Sequence, residues 1–319
     1  MLGSADSLLA EYRWRCAENP NQFVRLHGIQ QAALSDPRED VVMVGGNWSG
    51  KSKALSIVGG GAASGTFPLP GMYPLDVPLM VWVIGKPLAF QNVLQPGFKR
   101  HMPAEFIRNS AWVTAWGADS FWELRNGTRV HWISHDKNPA DLEGPEVHMV
   151  LVDEPPPERL LDAAKSRMRS PVLRRRVYAF TPLAAAHTLF ERFGPNADPR
   201  YVGVHNMPIW SNCRCLAGLD AVKLNRLGKD ARLTAAVHPP DCHCNGGFKT
   251  RVEIKDYLRQ FRGAELQARE WGEWLFTHRR IFPEYANDAY NVFDPDDMGV
   301  DWVGTGKARR PRETTIWVA

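Results

Sequence analysis

Long apolar runs are missing from this sequence. No stretch of its 319 residues approaches the roughly 18 uninterrupted apolar residues of a membrane helix. The first twenty residues, with Asp6, Glu11, Arg13 and Arg15, lack the apolar centre of a signal peptide. A soluble, unsecreted chain with no membrane partner is expected. Cysteine is scarce: Cys16, Cys213, Cys215, Cys242 and Cys244 are the only five, an odd and scattered set that excludes a disulfide framework and suits a reducing cytoplasm. Charge of one sign is not in large excess either. The 39 Lys and Arg against 35 Asp and Glu leave +4, which permits a nucleic-acid partner without requiring one. Internal repeats of 20 to 50 residues are absent, and the 26 glycines and 24 prolines stay below the roughly 25–30% of low-complexity chains. The length fits one large domain or two modest ones.

What the sequence does have is a series of short apolar runs. Residues 41–44, Val-Val-Met-Val, are closed by Gly45-Gly46, the pattern of a buried parallel strand before its loop, with a helix expected from Lys51. Residues 79–84, 146–152 and 177–180 predict three further strands, each followed by helix-compatible sequence. Strands alternating with helices imply an α/β, doubly wound, mainly parallel sheet. Between the second and third, apolar alternation over 120–133 around Asn126-Gly127 predicts a β-hairpin insert. After about residue 205 the apolar runs thin out, and 252–274 reads as one amphipathic helix with Leu258, Phe261 and Leu266 on its apolar face.

The strongest signal is Gly45-Gly46-Asn47-Trp48-Ser49-Gly50-Lys51-Ser52, which fits G-x-x-x-x-G-K-[ST] in the strand-to-helix context that motif needs. Small residues let the backbone curl so that successive N–H groups form a nest for phosphate oxygens at the positive end of the following helix. Lys51 is expected to reach the β- and γ-phosphates of ATP and Ser52 to ligate Mg²⁺. Residues 146–154, Glu-Val-His-Met-Val-Leu-Val-Asp-Glu, place a carboxylate pair at the end of an apolar strand, where open α/β sheets bind ligands. Asp153 is expected to hold Mg²⁺ through water and Glu154 to polarise the attacking water.

These elements, with Gln30-Gln31 upstream, Asp153-Glu154-Pro155-Pro156-Pro157, Phe180-Thr181-Pro182-Leu183, 269–274 (Arg-Glu-Trp-Gly-Glu-Trp) and Ile281-Phe282-Pro283, resemble in order and spacing the large terminase subunit of tailed double-stranded DNA bacteriophages. The resemblance implies a RecA-like P-loop ATPase core over 1–205, a small, mainly helical lid and linker subdomain over 206–280, and over 281–319 a linker with the first strand, 314–318, of a nuclease domain that does not follow. It implies a DNA-translocating ATPase without nuclease activity in this chain. The implied setting is the host cytoplasm and, transiently, the capsid portal vertex. The implied partners are double-stranded DNA, the portal protein, the small terminase subunit and further copies of itself in a ring. Gln30 or Gln31 resembles the glutamine that contacts adenine, and Thr181 resembles the threonine that couples γ-phosphate loss to DNA movement. Where many relatives carry an arginine in the phosphate loop or before the acidic pair, this sequence has Trp48 and Glu143. That leaves Arg167 and Arg169, expected on the helix after Glu154, as candidates for stabilising transition-state charge across a ring interface.

Residues 165–176 hold six cations, and 307–312 a smaller group. Such clusters suit phosphate-backbone contact or are charged helix faces. No base-reading motif accompanies them. Cys213-Arg214-Cys215 and Cys242-His243-Cys244 have the form of two knuckles able to share a structural Zn²⁺, with buried or idle thiols as the other reading. Two further functional classes use the same loop: a P-loop kinase or nucleotidyl transferase, which needs an acceptor pocket, and a non-catalytic DNA-binding assembly module.

Overall fold

The computed structural model describes residues 11, 14–15, 19–21, 24, 26–66, 77–142, 144–183, 186–194, 197–213, 247–274, 302–303 and 310–311. Eight strands form one sheet: β1 (Asp40–Gly45), β2 (Met80–Gly85), β3 (Ile107–Val113), β4 (Ala118–Leu124), β5 (Arg129–Ser134), β6 (Met149–Asp153), β7 (Arg175–Phe180) and β8 (Val202–Met207), in the order β3-β4-β5-β2-β6-β7-β1-β8. The six strands from β5 to β8 pair in parallel, and β3 and β4 pair antiparallel at one edge. β1, β6 and β7 are buried along their whole length, which is why the sequence shows continuous apolar runs there and no polar alternation. Successive residues still serve opposite faces. Val41, Met43, Val81, Val83, Leu151 and Ala179 join one core, and Val42, Val44, Trp82, Ile84, Val152 and Phe180 the other.

Helices cover both faces: α1 (Gly28–Leu34), α2 (Lys51–Ser64), α3 over 87–100, α4 (Glu158–Arg167) and α5 (His187–Phe193), followed by α6 (Arg251–Leu258) and α7 (Gly263–Trp271). The middle of α3, Phe90–Leu94, is π-helical. α2 contains Gly59-Gly60-Gly61 and is buried over almost its whole circumference. A Cβ at Gly59 would stand 2.0 Å from Phe98 Cζ, and one at Gly60 2.6 Å from the Phe98 carbonyl oxygen. The glycines therefore let α3 lie directly on α2.

Two expectations are corrected, and one strand is additional. The hairpin around Asn126-Gly127 forms between β4 and β5 with Gly127 at φ 83°, but it is not an insert. β5 pairs in parallel with β2 along its full length, so the hairpin extends the main sheet and β3 adds a further strand outside it. The single helix over 252–274 is two helices, α6 and α7. The chain breaks between them, and Gly263 takes φ 53°, a left-handed backbone that a continuing helix cannot contain. β8 was not expected, because Gly203, His205 and Asn206 interrupt its apolar pattern.

The chain divides into two units, Met1–Leu275 and Phe276–Ala319. Within the second, Trp302–Val303 pairs antiparallel with Arg310–Pro311. The strand expected over 314–318 lies outside the described residues. No helix among the described residues is long and apolar enough to cross a membrane.

Candidate nucleotide-binding site

β1 ends at Gly45 and α2 begins at Lys51, so the loop 45–52 lies at the C-terminal edge of the parallel strands, where such sheets place ligands. The glycines are required by close approach. A Cβ at Gly45 would stand 2.1 Å from the Met207 carbonyl oxygen and one at Gly46 1.4 Å from that of Arg269. Gly50 takes φ 94°, and Trp48, without glycine's freedom, takes φ 66°. Lys51 is buried, its Nζ donating to the carbonyl oxygens of Gly45 and Gly46 at 2.7 Å each. The ammonium thus braces the curl from within. The first N–H groups of α2 have no partner inside the helix and carry its positive end.

Two neighbouring strands deliver the acidic groups. Asp153 closes β6 opposite Ala179 of β7, and the Glu154 N–H donates to the Ala179 carbonyl at 2.9 Å. Ser52 Oγ donates to Asp153 Oδ1 at 3.3 Å. Glu154 stands at φ 61°, turned toward Thr181. The Thr181 N–H donates to Glu154 Oε2 at 3.3 Å, and the Thr181 hydroxyl is shared between Asn47 Oδ1 at 3.0 Å and Glu154 Oε1 at 3.4 Å. Asn47, Glu154 and Thr181 thus tie the loop to the ends of β6 and β7. Burial and the adjacent Glu154 charge push the Asp153 carboxyl up to about 6, against the pull of Lys51 and Ser52. Burial draws the Lys51 ammonium down to about 8, opposed by Glu154 and Asp153. A cleft of about 290 Å³ opens here, lined by Asn47, Trp48, Lys51, Ser52, Lys53 and Glu154 together with Gly50. Cations on one side and hard carboxylate and hydroxyl oxygens on the other suit an oxyanion with a small divalent cation such as Mg²⁺.

Tyr257, Lys249, Asn212 and Trp210, which the sequence did not single out, join Trp48, Phe261, Arg269 and Glu270 around this cleft. Trp48 stacks on Tyr257 of α6, with ring centroids 4.5 Å apart. Lys249 Nζ lies 4.6 Å above the Trp48 ring, and the Asn212 side-chain amide donates to the Trp48 carbonyl. Arg269 on α7 is close enough to Lys51 to oppose its charge. Its guanidinium donates to Glu265 at 2.8 Å and lies 4.3 Å above the Phe261 ring. The buried Glu270 accepts from Trp210 Nε1 at 2.9 Å. α6 and α7 thereby cap the phosphate loop. The contacts of Trp48 with Tyr257 and Lys249 join residues some two hundred positions apart, and no local pattern announces them.

The other predicted residues fall as follows. Gln30 is fully buried against the loop, its Nε2 donating to the Gly50 carbonyl at 2.9 Å, while Gln31 is exposed. Arg167 is the last residue of α4, and its carbonyl accepts from Val147 N–H, ahead of β6. It stands at the N-terminal edge of the sheet, roughly 20 Å of strand rise from Asp153, and is not brought to the cleft of its own chain. Arg169 lies beyond the end of α4, so the expectation that both arginines sit on that helix is corrected. Of the six cations in 165–176, Arg175 is buried with Nη1 donating to the Arg38 carbonyl, and Arg176 is buried in a two-pronged ion pair with Asp40. The run is therefore not one solvated face. Cys213 is buried, and its backbone bridges to Lys249. Cys215, Cys242 and Cys244 lie outside the described residues, as do Lys307 and Arg312. No group of three metal-ligating side chains occurs among the described residues.

No protein-family model and no curated protein matches this sequence. Solved structures match its fold, among them two of a large terminase. The large terminase from the thermophilic bacteriophage D6E in complex with ADP superposes with a TM-score of 0.51 at 15% identity, over 78% of this chain and 54% of that one. A second crystal form of the same large terminase gives 0.54 at 12% identity, over 79% and 54%. The chain has a terminase-like ATPase fold. It spans about half the length of the large terminases it matches. The mainly parallel sheet expected from the apolar runs is present, with eight strands where four and a hairpin were expected, and it matches that fold.

Proposed function

We propose that this chain is the ATP-hydrolysing motor part of a viral DNA-packaging terminase, which moves double-stranded DNA into a preformed capsid. The observation that carries the reading is the grouping of Lys51, Ser52 and Glu154 on one cleft at the C-terminal edge of a terminase-like sheet, with Asp153 hydrogen-bonded to Ser52 and Thr181 to Glu154. In this reading the loop amides and Lys51 hold the triphosphate of ATP, and Ser52 with Asp153 holds Mg²⁺, which neutralises phosphate charge. Glu154 orients the attacking water. Thr181, bonded to both Glu154 and Asn47, reports loss of the terminal phosphate from the loop to β7. The portal protein, the small terminase subunit, further copies in a ring and the exposed cations of 165–174 as DNA contacts belong to the same proposal. So does a structural Zn²⁺ on the four cysteines.

Phosphate release measured with Mg·ATP, with and without linear duplex DNA, tests it. Glu154→Gln is expected to lower turnover by about a hundredfold or more, in the range of lost general-base catalysis, while nucleotide affinity changes little. Normal turnover in that variant, or transfer of the phosphate to an acceptor other than water, would overturn the assignment.

A further inference from the structure

The resemblance offers Gln30 or Gln31 as the residue that contacts adenine, but the surroundings of Gln30 give it other work. Gln30 and His27 have essentially no exposed surface. His27 is the N-cap of α1: its Nδ1 accepts the Gln30 N–H at 3.3 Å, and Gln30 Oε1 accepts the His27 N–H at 3.2 Å. This reciprocal cap fixes the imidazole tautomer, because a nitrogen that accepts leaves the proton on the other. Nε2 is therefore the donor, and it faces the Ser49 carbonyl oxygen at 3.0 Å. The remaining group of Gln30, its Nε2, donates to the Gly50 carbonyl at 2.9 Å. Both ends of the Gln30 amide are occupied, and Gln30 does not line the cleft. Burial holds the His27 imidazole down to about 4, so it stays neutral at physiological pH and keeps this arrangement.

The consequence follows from peptide planarity. The Ser49 carbonyl and the Gly50 N–H belong to one rigid plane and point in opposite directions, as do the Gly50 carbonyl and the Lys51 N–H. The Gly50 carbonyl also accepts the Ala54 N–H within α2 at 3.0 Å, so Gln30 adds to a direction the helix begins, and His27 holds the Ser49 carbonyl; both amides thereby turn the other way, toward the cleft, before any anion arrives. We infer that His27 and Gln30 are positioning residues that set the phosphate-binding amides of Gly50 and Lys51, and that Gln30 does not read the base. This rests on the nucleotide-binding reading above and adds to it a division of labour: α1 serves the phosphates and leaves base recognition to other residues. Gly50 is part of the same device, since a Cβ there would stand 2.6 Å from Gln30 Nε2 and 3.4 Å from His27 Nε2.

Two variants separate the clamp from the cap. Gln30→Glu keeps the side-chain oxygen that accepts from His27 but removes the donor to Gly50. His27→Asn keeps a good N-cap acceptor but cannot reach Ser49. Titration calorimetry with ADP, GDP and inorganic pyrophosphate, all with Mg²⁺, is expected to show all three weakened alike, by about three- to tenfold in each variant, as for loss of one hydrogen bond, with the ADP-to-GDP ratio unchanged. The backbone amide chemical shifts of residues 50 and 51 in the ligand-free chain are expected to move, by NMR, while circular dichroism reports an intact fold. Loss of ADP affinity with GDP and pyrophosphate unaffected would make Gln30 a base reader and overturn the inference, as would unchanged shifts at both amides. If the unsubstituted chain takes neither ADP nor pyrophosphate, the nucleotide reading itself falls, and the clamp with it.

Discussion

Single residues here carry charges that the fold has to satisfy one by one. Asp36 is an example away from the cleft. Burial alone would raise its carboxyl, but hydrogen bonds from Arg38 and from His205 Nε2, the latter at 2.7 Å, outweigh it and bring the group down to about 2. A carboxyl lowered by folding contributes stability that is present above its unfolded value near 4 and is lost as pH falls through the folded value near 2. Denaturant midpoints measured from pH 5 down to 2 are expected to fall more steeply for the unsubstituted chain than for Asp36→Asn, by about 1–2 kcal/mol in all. Parallel curves would contradict the assignment. At this scale the sequence was most informative where the chemistry is contiguous. Gly45 to Ser52 and the pair Asp153-Glu154 were legible because a glycine-rich loop curled around one lysine and a strand-end carboxylate pair are each built from neighbouring residues. His27 was not, because histidine is an unusual N-cap and its partner carbonyl lies 22 positions away. The Gln30 side chain was legible only as a resemblance, and its hydrogen bonds give it a different surrounding from the one expected.

Elements obey packing before propensity. Three consecutive glycines inside α2 each cost about 1 kcal/mol relative to alanine in an exposed helix, yet the close approach of Phe98 requires two of them, Gly59 and Gly60. Gly59→Ala is therefore expected to destabilise the protein by about 1–3 kcal/mol through overpacking, the opposite of the usual gain, as read from thermal or urea unfolding. A rise in stability would mean that α3 can shift at little cost. The same competition explains which elements were readable. The buried strands β1, β2, β6 and β7 showed as apolar runs, and the hairpin turn showed in Asn126-Gly127. The attachment of β5 to β2 did not, because strand partnership is a long-range choice that no window of sequence contains. The break between α6 and α7 escaped because apolar spacing continues across it: Phe261 sits in the gap and still packs on Tyr257.

Across the whole sheet, the two edges serve different ends. The C-terminal edge gathers Lys51, Asp153, Glu154 and Thr181. The N-terminal edge is fastened by Arg176 and Asp40, buried on adjacent strands β7 and β1 and joined by a two-pronged ion pair. Removing one partner of such a pair leaves an uncompensated buried charge, so Arg176→Ala is expected to cost about 3–5 kcal/mol of stability. Arg169→Ala, at an exposed position, is expected to leave the unfolding midpoint unchanged and to weaken the salt-dependent DNA affinity proposed for this region. Equal stability losses in both would mean that the run acts as a single structural unit. Composition counted these cations together, and only the fold divides them into internal braces and surface groups.

The face-to-face packing of Trp48 on Tyr257 gives the molecule an optical gauge of its own. An indole set in the phosphate loop, with 43% of its surface open to solvent, answers to any tightening of that loop through its emission colour and quenching. Adding Mg·ADP to the unlabelled protein is therefore expected to shift a fluorescence component that is absent from Trp48→Phe, so that ligand entry can be followed in real time.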